Sequence, residues 1–155
     1  MSSVRGAYIF DLDGTLCDCT PRARKYLEDE GRDWDAFYTH CDEDDEISDV
    51  CELLAALRSR GFDILFVTGR RESCREATLK WLEQHFDKDI ANTEHLFMRS
   101  AEDGFRDDYV SKMRNYNKYI KDKWHVLGVF EDRDQCVRAW RDIGLTCYQV
   151  ADGAY

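Results

Sequence analysis

Asp11 and Asp13 stand two residues apart at the end of a short apolar run, Ala7 to Phe10, and are followed directly by Gly14 and Thr15. Side chains two apart on an extended chain point the same way, so the two carboxylates are expected to share one site. Close carboxylates repel each other, which favours protonation of one of them or a bound cation. One turn can then hold a nucleophile, a proton carrier and a ligand for Mg²⁺. Gly14 allows the backbone to turn away sharply, and Thr15 supplies a hydroxyl.

Other polar groups recur after later apolar runs. Thr68 offers a hydroxyl donor, Gly69 leaves backbone N–H groups accessible, and Arg70 can grip a phosphate with two donors. Arg99 follows a third run, and Glu131 with Asp132 a fourth; the acidic pair provides hard oxygen ligands for Mg²⁺. Lys112 lies one helical turn after Asp108, which can hold its ammonium in place near phosphate. Singly, these are a strand-end turn, a surface acidic pair and an exposed i,i+4 ion pair. Their joint order along the chain is what points to phosphate chemistry.

The elements that must position them follow from periodicity. Strands are predicted over 7–10, 63–67, 95–98, 126–130 and 147–150, where short apolar runs end in turn or polar residues. Between them lie helical patterns. Thr20 can cap a helix with Pro21 at its first position and Gly31 as its stop. The aromatic stretch 34–41 has no clear period. The acidic run 42–46 reads as a solvated loop leading into a helix with Ile47, Val50, Cys51, Leu54 and Leu57 on one face and Gly61 at its end. Ser73 and Glu76 form a capping box for a helix to about Phe86. A helix over 107–122 turns Val110, Met113, Asn117 and Ile120 to one side, and a last one carries Val137, Trp140 and Ile143 before Gly144. Alternating strands and helices predict an α/β fold, a Rossmann-like parallel five-stranded sheet with helices on both faces. A chain of 155 residues is expected to form a single domain over 1–155, with a minimal cap of one helix and a flap in roughly 16–46.

Hydrophobic residues make up 43% of the chain and it has four Trp, which excludes disorder. Seven scattered cysteines without a C-x-x-C pair read as reduced thiols and not a zinc site. No apolar run is of signal-peptide or membrane length, so a soluble cytoplasmic protein with no membrane partner is expected. A net charge of −10 argues against broad, non-specific nucleic-acid binding. It leaves room for a substrate held by a few local arginines and lysines.

The order D-x-D-G-T, T-G-R, D-x-x-x-K, E-D resembles the four motifs of the haloacid-dehalogenase-like phosphohydrolases across nearly the whole chain. The segments Cys41-Asp42-Glu43-Asp44, Val67-Thr68-Gly69-Arg70, Arg106-Asp107-Asp108 with Lys112, and Glu131-Asp132-Arg133 narrow the resemblance to the phosphatase domains of phage polynucleotide kinase/phosphatases. Trp140 to Leu145 and Gln149 to Gly153 extend it. The resemblance implies that Asp11 is the nucleophile and Asp13 the acid/base. Mg²⁺ would be held by Asp11, the Asp13 carbonyl and Asp132, with Glu131 beside them where the relatives have Asp. Thr68, Arg70 and Lys112 would hold the phosphate, with Gly69, Arg99 and Asp108 completing the substrate side. The implied substrate is a 3′-phosphorylated DNA or RNA end, and a separate kinase or ligase is an implied partner, since no G-x-x-x-x-G-K-[ST] loop occurs. The short cap also permits a nucleotidase or small-molecule phosphatase. A receiver-type phosphoacceptor domain uses similar residues, but its phosphorylated Asp follows the third strand, where this chain has Met98-Arg99.

Overall fold

The computed structural model describes residues 4–28 and 30–154. Five parallel strands form the main sheet: β1 (Gly6–Phe10), β4 (Asp63–Arg71), β5 (Leu96–Arg99), β6 (His125–Glu131) and β7 (Cys147–Gln149). Their order is β5-β4-β1-β6-β7, all parallel, so β1 is central. The fold is the α/β arrangement expected from the strand-helix alternation. In such sheets ligands bind beyond the carboxyl ends of the strands, where the winding direction reverses; here that point lies between β1 and β6.

Side chains alternate between the two faces of the sheet, as a period of two requires, except where a register shift between β1 and β6 puts Val126 and Val129 on the same face. Ala7, Ile9, Leu65, Val67 and Val129 pack on one face with Val137 and Trp140 of α6 (Asp134–Asp142). Phe10, Ile64, Phe66 and Phe130 pack on the other with Leu54 of α3 (Ser48–Ser59) and Trp81 and Leu82 of α4 (Arg75–His85). Phe10 stacks on Phe130 at a centroid distance of 4.5 Å. Helices thus cover both faces.

The segment expected to be a small cap holds more structure than one helix and a flap. It contains β2 (Cys17–Asp18) paired antiparallel with β3 (Asp45–Glu46), α1 (Thr20–Leu27) and a second helix, α2 (Trp34–Thr39). Asp33 caps α2 by accepting a 2.9 Å bond from the Ala36 amide. Its aromatic faces lack a clean period because Phe37 is buried while Trp34 stays half in water.

Several local expectations are corrected. Thr20 is not the cap but the first helical residue; Cys19 holds the cap position with no side-chain bond, and the Asp18 carboxylate before it accepts from the Thr20 amide at 3.0 Å. Helix α1 ends at Leu27, four residues before Gly31. Ser73 and Glu76 form no capping box, because a 3₁₀ turn over Glu72–Cys74 leads into α4. Strand β4 runs on through Thr68, Gly69 and Arg70, and β5 includes Arg99, because Arg71 and Arg99 still pair across the two strands. Helix α5 (Asp108–Asn115) buries Ser111, Lys112 and Asn115, not Val110 and Asn117. A π-helical turn over Tyr116–Ile120 then shifts the phase, which brings Ile120 into the core after all. Among the described residues no helix is long and apolar enough to cross a membrane.

Trp81 joins the cap to the core: its ring is fully buried and its indole N–H donates to the Asp44 carbonyl at 2.8 Å. Trp81→Ala should destabilise the protein by about 3–5 kcal/mol, read as a fall in the urea midpoint. A midpoint within error of wild type would show that the cap does not depend on this anchor.

Candidate active site

The carboxyl ends of β1, β4 and β6 converge on one cleft of about 600 Å³, with α1 and α2 as its opposite wall. Asp11 follows β1 directly and its amide donates to the Phe130 carbonyl at 3.0 Å, so the end of β6 fixes it. Gly14 has φ +84°, a turn that other residues resist. A side chain there would collide with the Asp132 carboxylate. The turn thereby brings the β1 and β6 ends together. The Thr15 hydroxyl, fully buried, lies 3.2 Å from an Asp11 oxygen and 3.3 Å from Asp132.

Beneath Asp11 lies a buried charge cluster. The Lys112 ammonium donates to Asp11 at 3.0 Å and to Glu131 at 2.8 Å, and it lies 3.3 Å from Asp108. Burial pushes the Asp11 carboxyl well above the usual range; nearby Glu131 adds to this and Lys112 opposes it. Glu131 is likewise raised, first by burial, against the pull of Lys112. Burial works against the charge of Lys112, but Asp108 and Asp11 outweigh it and hold the ammonium protonated. Asp108 is steadied further by Arg99 at 3.5 Å and Arg133 at 3.6 Å. Gly69 leaves it room, since a Cβ there would strike the Asp108 carboxylate.

Oxygens of Asp11, Glu131 and Asp132 lie within 4.8 Å of one another, a hard-ligand set of the kind Mg²⁺ takes. Glu131 has both oxygens engaged, one by Lys112 at 2.8 Å and one by the Asp132 amide at 3.3 Å. Asp11 and Asp132 are therefore the carboxylates best placed to face a cation in the cleft.

Asp13 belongs to a second network. Arg70 donates to its two oxygens at 2.6 and 3.0 Å, and Arg22 donates at 2.8 Å. Arg22 also forks onto both oxygens of buried Asp44 at 2.8 Å. Arg70 further donates to the Thr78 hydroxyl at 3.2 Å. Burial alone would raise the Asp13 pKa, but Arg70 and then Arg22 outweigh it and hold the carboxyl below its usual range. The fork of Arg70, expected to face substrate, is thus fully buried and committed to Asp13, because an unpaired carboxylate there would be costly. Thr68 accepts from the Arg70 amide at 3.1 Å, which leaves its hydroxyl proton for a ligand. Arg99 sits at the cleft rim and divides its guanidinium between the backbone carbonyls of Gly69, Gly104 and Arg106 and the Asp108 carboxylate.

Asp11, Asp13, Thr68, Gly69, Arg70, Arg99, Asp108, Glu131 and Asp132 all line the cleft, and Lys112 lies behind it. Arg22 and Asp44 were missed as site residues. Asp44 lies in the acidic run expected to be solvated, yet it is buried in that salt bridge. Arg22 carries no signal beyond a basic side chain soon after the D-x-D turn; only the fold shows what it meets.

The chain matches the model of the polynucleotide kinase PNKP phosphatase domain over residues 5–155. It belongs to this family. The phosphatase domain is 32% identical, over 90% of its length, to a protein of Autographa californica nuclear polyhedrosis virus named for polynucleotide kinase and RNA ligase. It spans only 18% of that relative. Among solved structures, a chain of the Pnkp1/Rnl/Hen1 complex superposes with a TM-score of 0.80 at 28% identity, over 100% of this chain and 49% of that one. A class C acid phosphatase from Bacillus anthracis shares the fold, with a TM-score of 0.74 at 18% identity over 99% of this chain and 69% of its own. The domain is a phosphoric monoester hydrolase of the haloacid-dehalogenase type, as the motif order implied. The receiver-type alternative falls with that finding.

Lys112→Met should leave Asp11, Asp108 and Glu131 buried without their shared cation. The expected loss of stability is about 3–5 kcal/mol near neutral pH. Asp11 and Glu131 already have raised pKa values, and the substitution raises them further. A carboxyl raised in the folded state is stabilising when protonated and destabilising once ionised, so the deficit should shrink as pH falls towards 5 and grow towards 8. Thermal melts in chelator at both pH values check this; a deficit independent of pH would place the cost in packing instead.

Proposed function

We propose that this phosphatase domain is a Mg²⁺-dependent polynucleotide 3′-phosphatase that works through an aspartyl-phosphate at Asp11. The observation that carries the reading is the opposite setting of two neighbouring carboxylates. Asp11 lies on Lys112 at the floor of the cleft, and Asp13 stands ionised between two arginines at its wall. Different environments for two carboxylates assign different roles.

In the first half-reaction an Asp11 oxygen attacks phosphorus, and the bond to the 3′-oxygen of the sugar breaks. Asp13 supplies the proton that this oxygen needs. Asp13, ionised in the free domain, takes this proton up from solvent as the phosphate dianion arrives beside it and raises its proton affinity. In the second half-reaction water attacks the acyl phosphate, Asp13 takes its proton, and inorganic phosphate leaves Asp11 free. The Thr68 hydroxyl donates to a phosphoryl oxygen, and Lys112 offsets charge gathering at Asp11. Arg70 holds Asp13 in place, with Arg22 and Asp44 behind it. Asp11, Asp132 and the Asp13 carbonyl would hold Mg²⁺, which neutralises phosphate charge when bound.

The 3′-phosphorylated end is supported by the family to which the domain belongs and by the kinase and ligase named in the viral relative. We assign the domain to nucleic-acid end repair beside a kinase and a ligase. Kinase, ligase and phosphatase together turn a broken end into one that can be sealed.

Asp11→Asn should lower turnover of a 3′-phosphorylated oligonucleotide by roughly a thousandfold or more, since the nucleophile and a metal ligand go together. Retention of a tenth of the wild-type rate would sink the assignment. Activity should vanish in excess chelator and return with Mg²⁺ or Mn²⁺ but poorly with Ca²⁺, whose coordination is larger and looser. Release of phosphate at full rate in chelator would remove the metal from the scheme.

A further inference from the structure

The cleft does not end at Arg99. That residue also lines a neighbouring cavity of about 280 Å³, whose other walls include Arg71, Ser100 and Phe105. Arg71 follows Arg70 on β4 and pairs in register with Arg99 on β5. One strand end thus supplies Gly69 to the reaction cleft and Arg71 to the adjoining groove.

Arg71 is unlike the other arginines of the region. Arg75 is held by Glu72 at 2.8 Å and Arg114 by Asp103 at 2.7 Å. Among the described residues no carboxylate pairs with Arg71; its guanidinium lies 5.4 Å from the ring centres of both Tyr38 and Phe105. A guanidinium on an aromatic face keeps its edge donors for a further ligand. Phe105 is 95% exposed, the most exposed large apolar side chain described. Its loop is nevertheless anchored, because Arg99 donates to the carbonyls on both sides of it, Gly104 at 3.4 Å and Arg106 at 2.6 Å. A ring held out in water on an anchored loop, with an arginine beside it, suits the flat face of a base.

Charge sets the direction a polyanion would take. Arg71 also borders a second groove, which runs past Tyr38, Asp35, Asp42 and Glu76, with Lys80 already bound to Asp42 at 2.8 Å, and that groove is the more acidic of the two. The groove between Arg71 and Phe105 contains one carboxylate, Glu72, and both of its oxygens are taken by Arg75.

We propose that this groove seats the nucleotide preceding the 3′-terminal one in a single-stranded substrate, with Arg71 on the phosphodiester and Phe105 stacked on a base. The proposal rests on reading the main cleft as a 3′-phosphatase site and adds to it a subsite that makes a polynucleotide a better substrate than a nucleotide.

The test compares a 3′-phosphorylated hexanucleotide with a nucleoside 3′-monophosphate on wild type, Arg71→Ala, Phe105→Ala and Phe105→Trp. Arg71→Ala and Phe105→Ala should each lower kcat/KM for the hexanucleotide about tenfold, on the scale of one stacked base. Both should leave the mononucleotide within about twofold, and Phe105→Trp should retain hexanucleotide activity. Equal losses on both substrates, or none on the hexanucleotide, would overturn the subsite. Fluorescence anisotropy with the same hexanucleotide, in an Asp11→Asn background, reads binding without turnover. There Arg71→Ala should weaken binding and reduce the salt slope by about 0.7, as for one phosphate contact on a single strand. Arg71-dependent binding by a wild-type protein that hydrolyses neither substrate would defeat the phosphatase reading while upholding the groove. Turnover of the hexanucleotide with binding indifferent to Arg71 would do the reverse.

Discussion

Lys112 bonds Asp11 and Glu131 and lies within salt-bridge distance of Asp108, with its own side chain almost fully buried. That single ammonium lets three carboxylates leave water together, and much of the molecule is arranged to keep it there. Helix α5 turns polar residues inward to deliver it, and the π-helical turn restores the apolar phase afterwards. Gly69 has no side chain because Asp108 needs its space. Gly14 yields its space in the same way to Asp132. Buried charge is tolerated only when paired, so a buried carboxylate at the end of a central strand imposes its partners on two other strands and a helix.

A second constraint acts on Asp13. Its carboxylate is held by one arginine from the core and one from the cap, and the cap arginine is itself fixed by Asp44. The consequence is mechanical as well as electrostatic. The short β2–β3 ribbon and helix α1 are tied to the sheet through the group that would carry the proton, so the cap cannot shift without disturbing it. Trp81 reinforces the tie from α4 through the Asp44 carbonyl. A cap this small covers Asp13 yet leaves the cleft open beside Arg99, where the groove to Phe105 begins.

What the sequence determined by itself was local and periodic. The apolar runs Ala7 to Phe10, 63–67 and 126–130 marked buried strands, and their alternation with helical patterns called for a parallel sheet with helices on both faces, as the two apolar layers bear out. The D-x-D turn, the Thr68 turn, Asp108 with Lys112, and Asp132 could be read because each lies at a strand end or one helical turn from its partner. Tertiary structure alone decided where the guanidiniums went. Arg22 and Asp44 are 22 residues apart, and Arg70 and Asp13 are 57 apart. No period links such positions, so Arg70 read as a phosphate grip, Asp44 as a solvated acid, and Arg22 as an ordinary helix residue. The physical reason is that a long, charged side chain has little positional preference of its own. It goes wherever the fold leaves an opposite charge out of water, and that place exists only once the strands and the cap have been brought together.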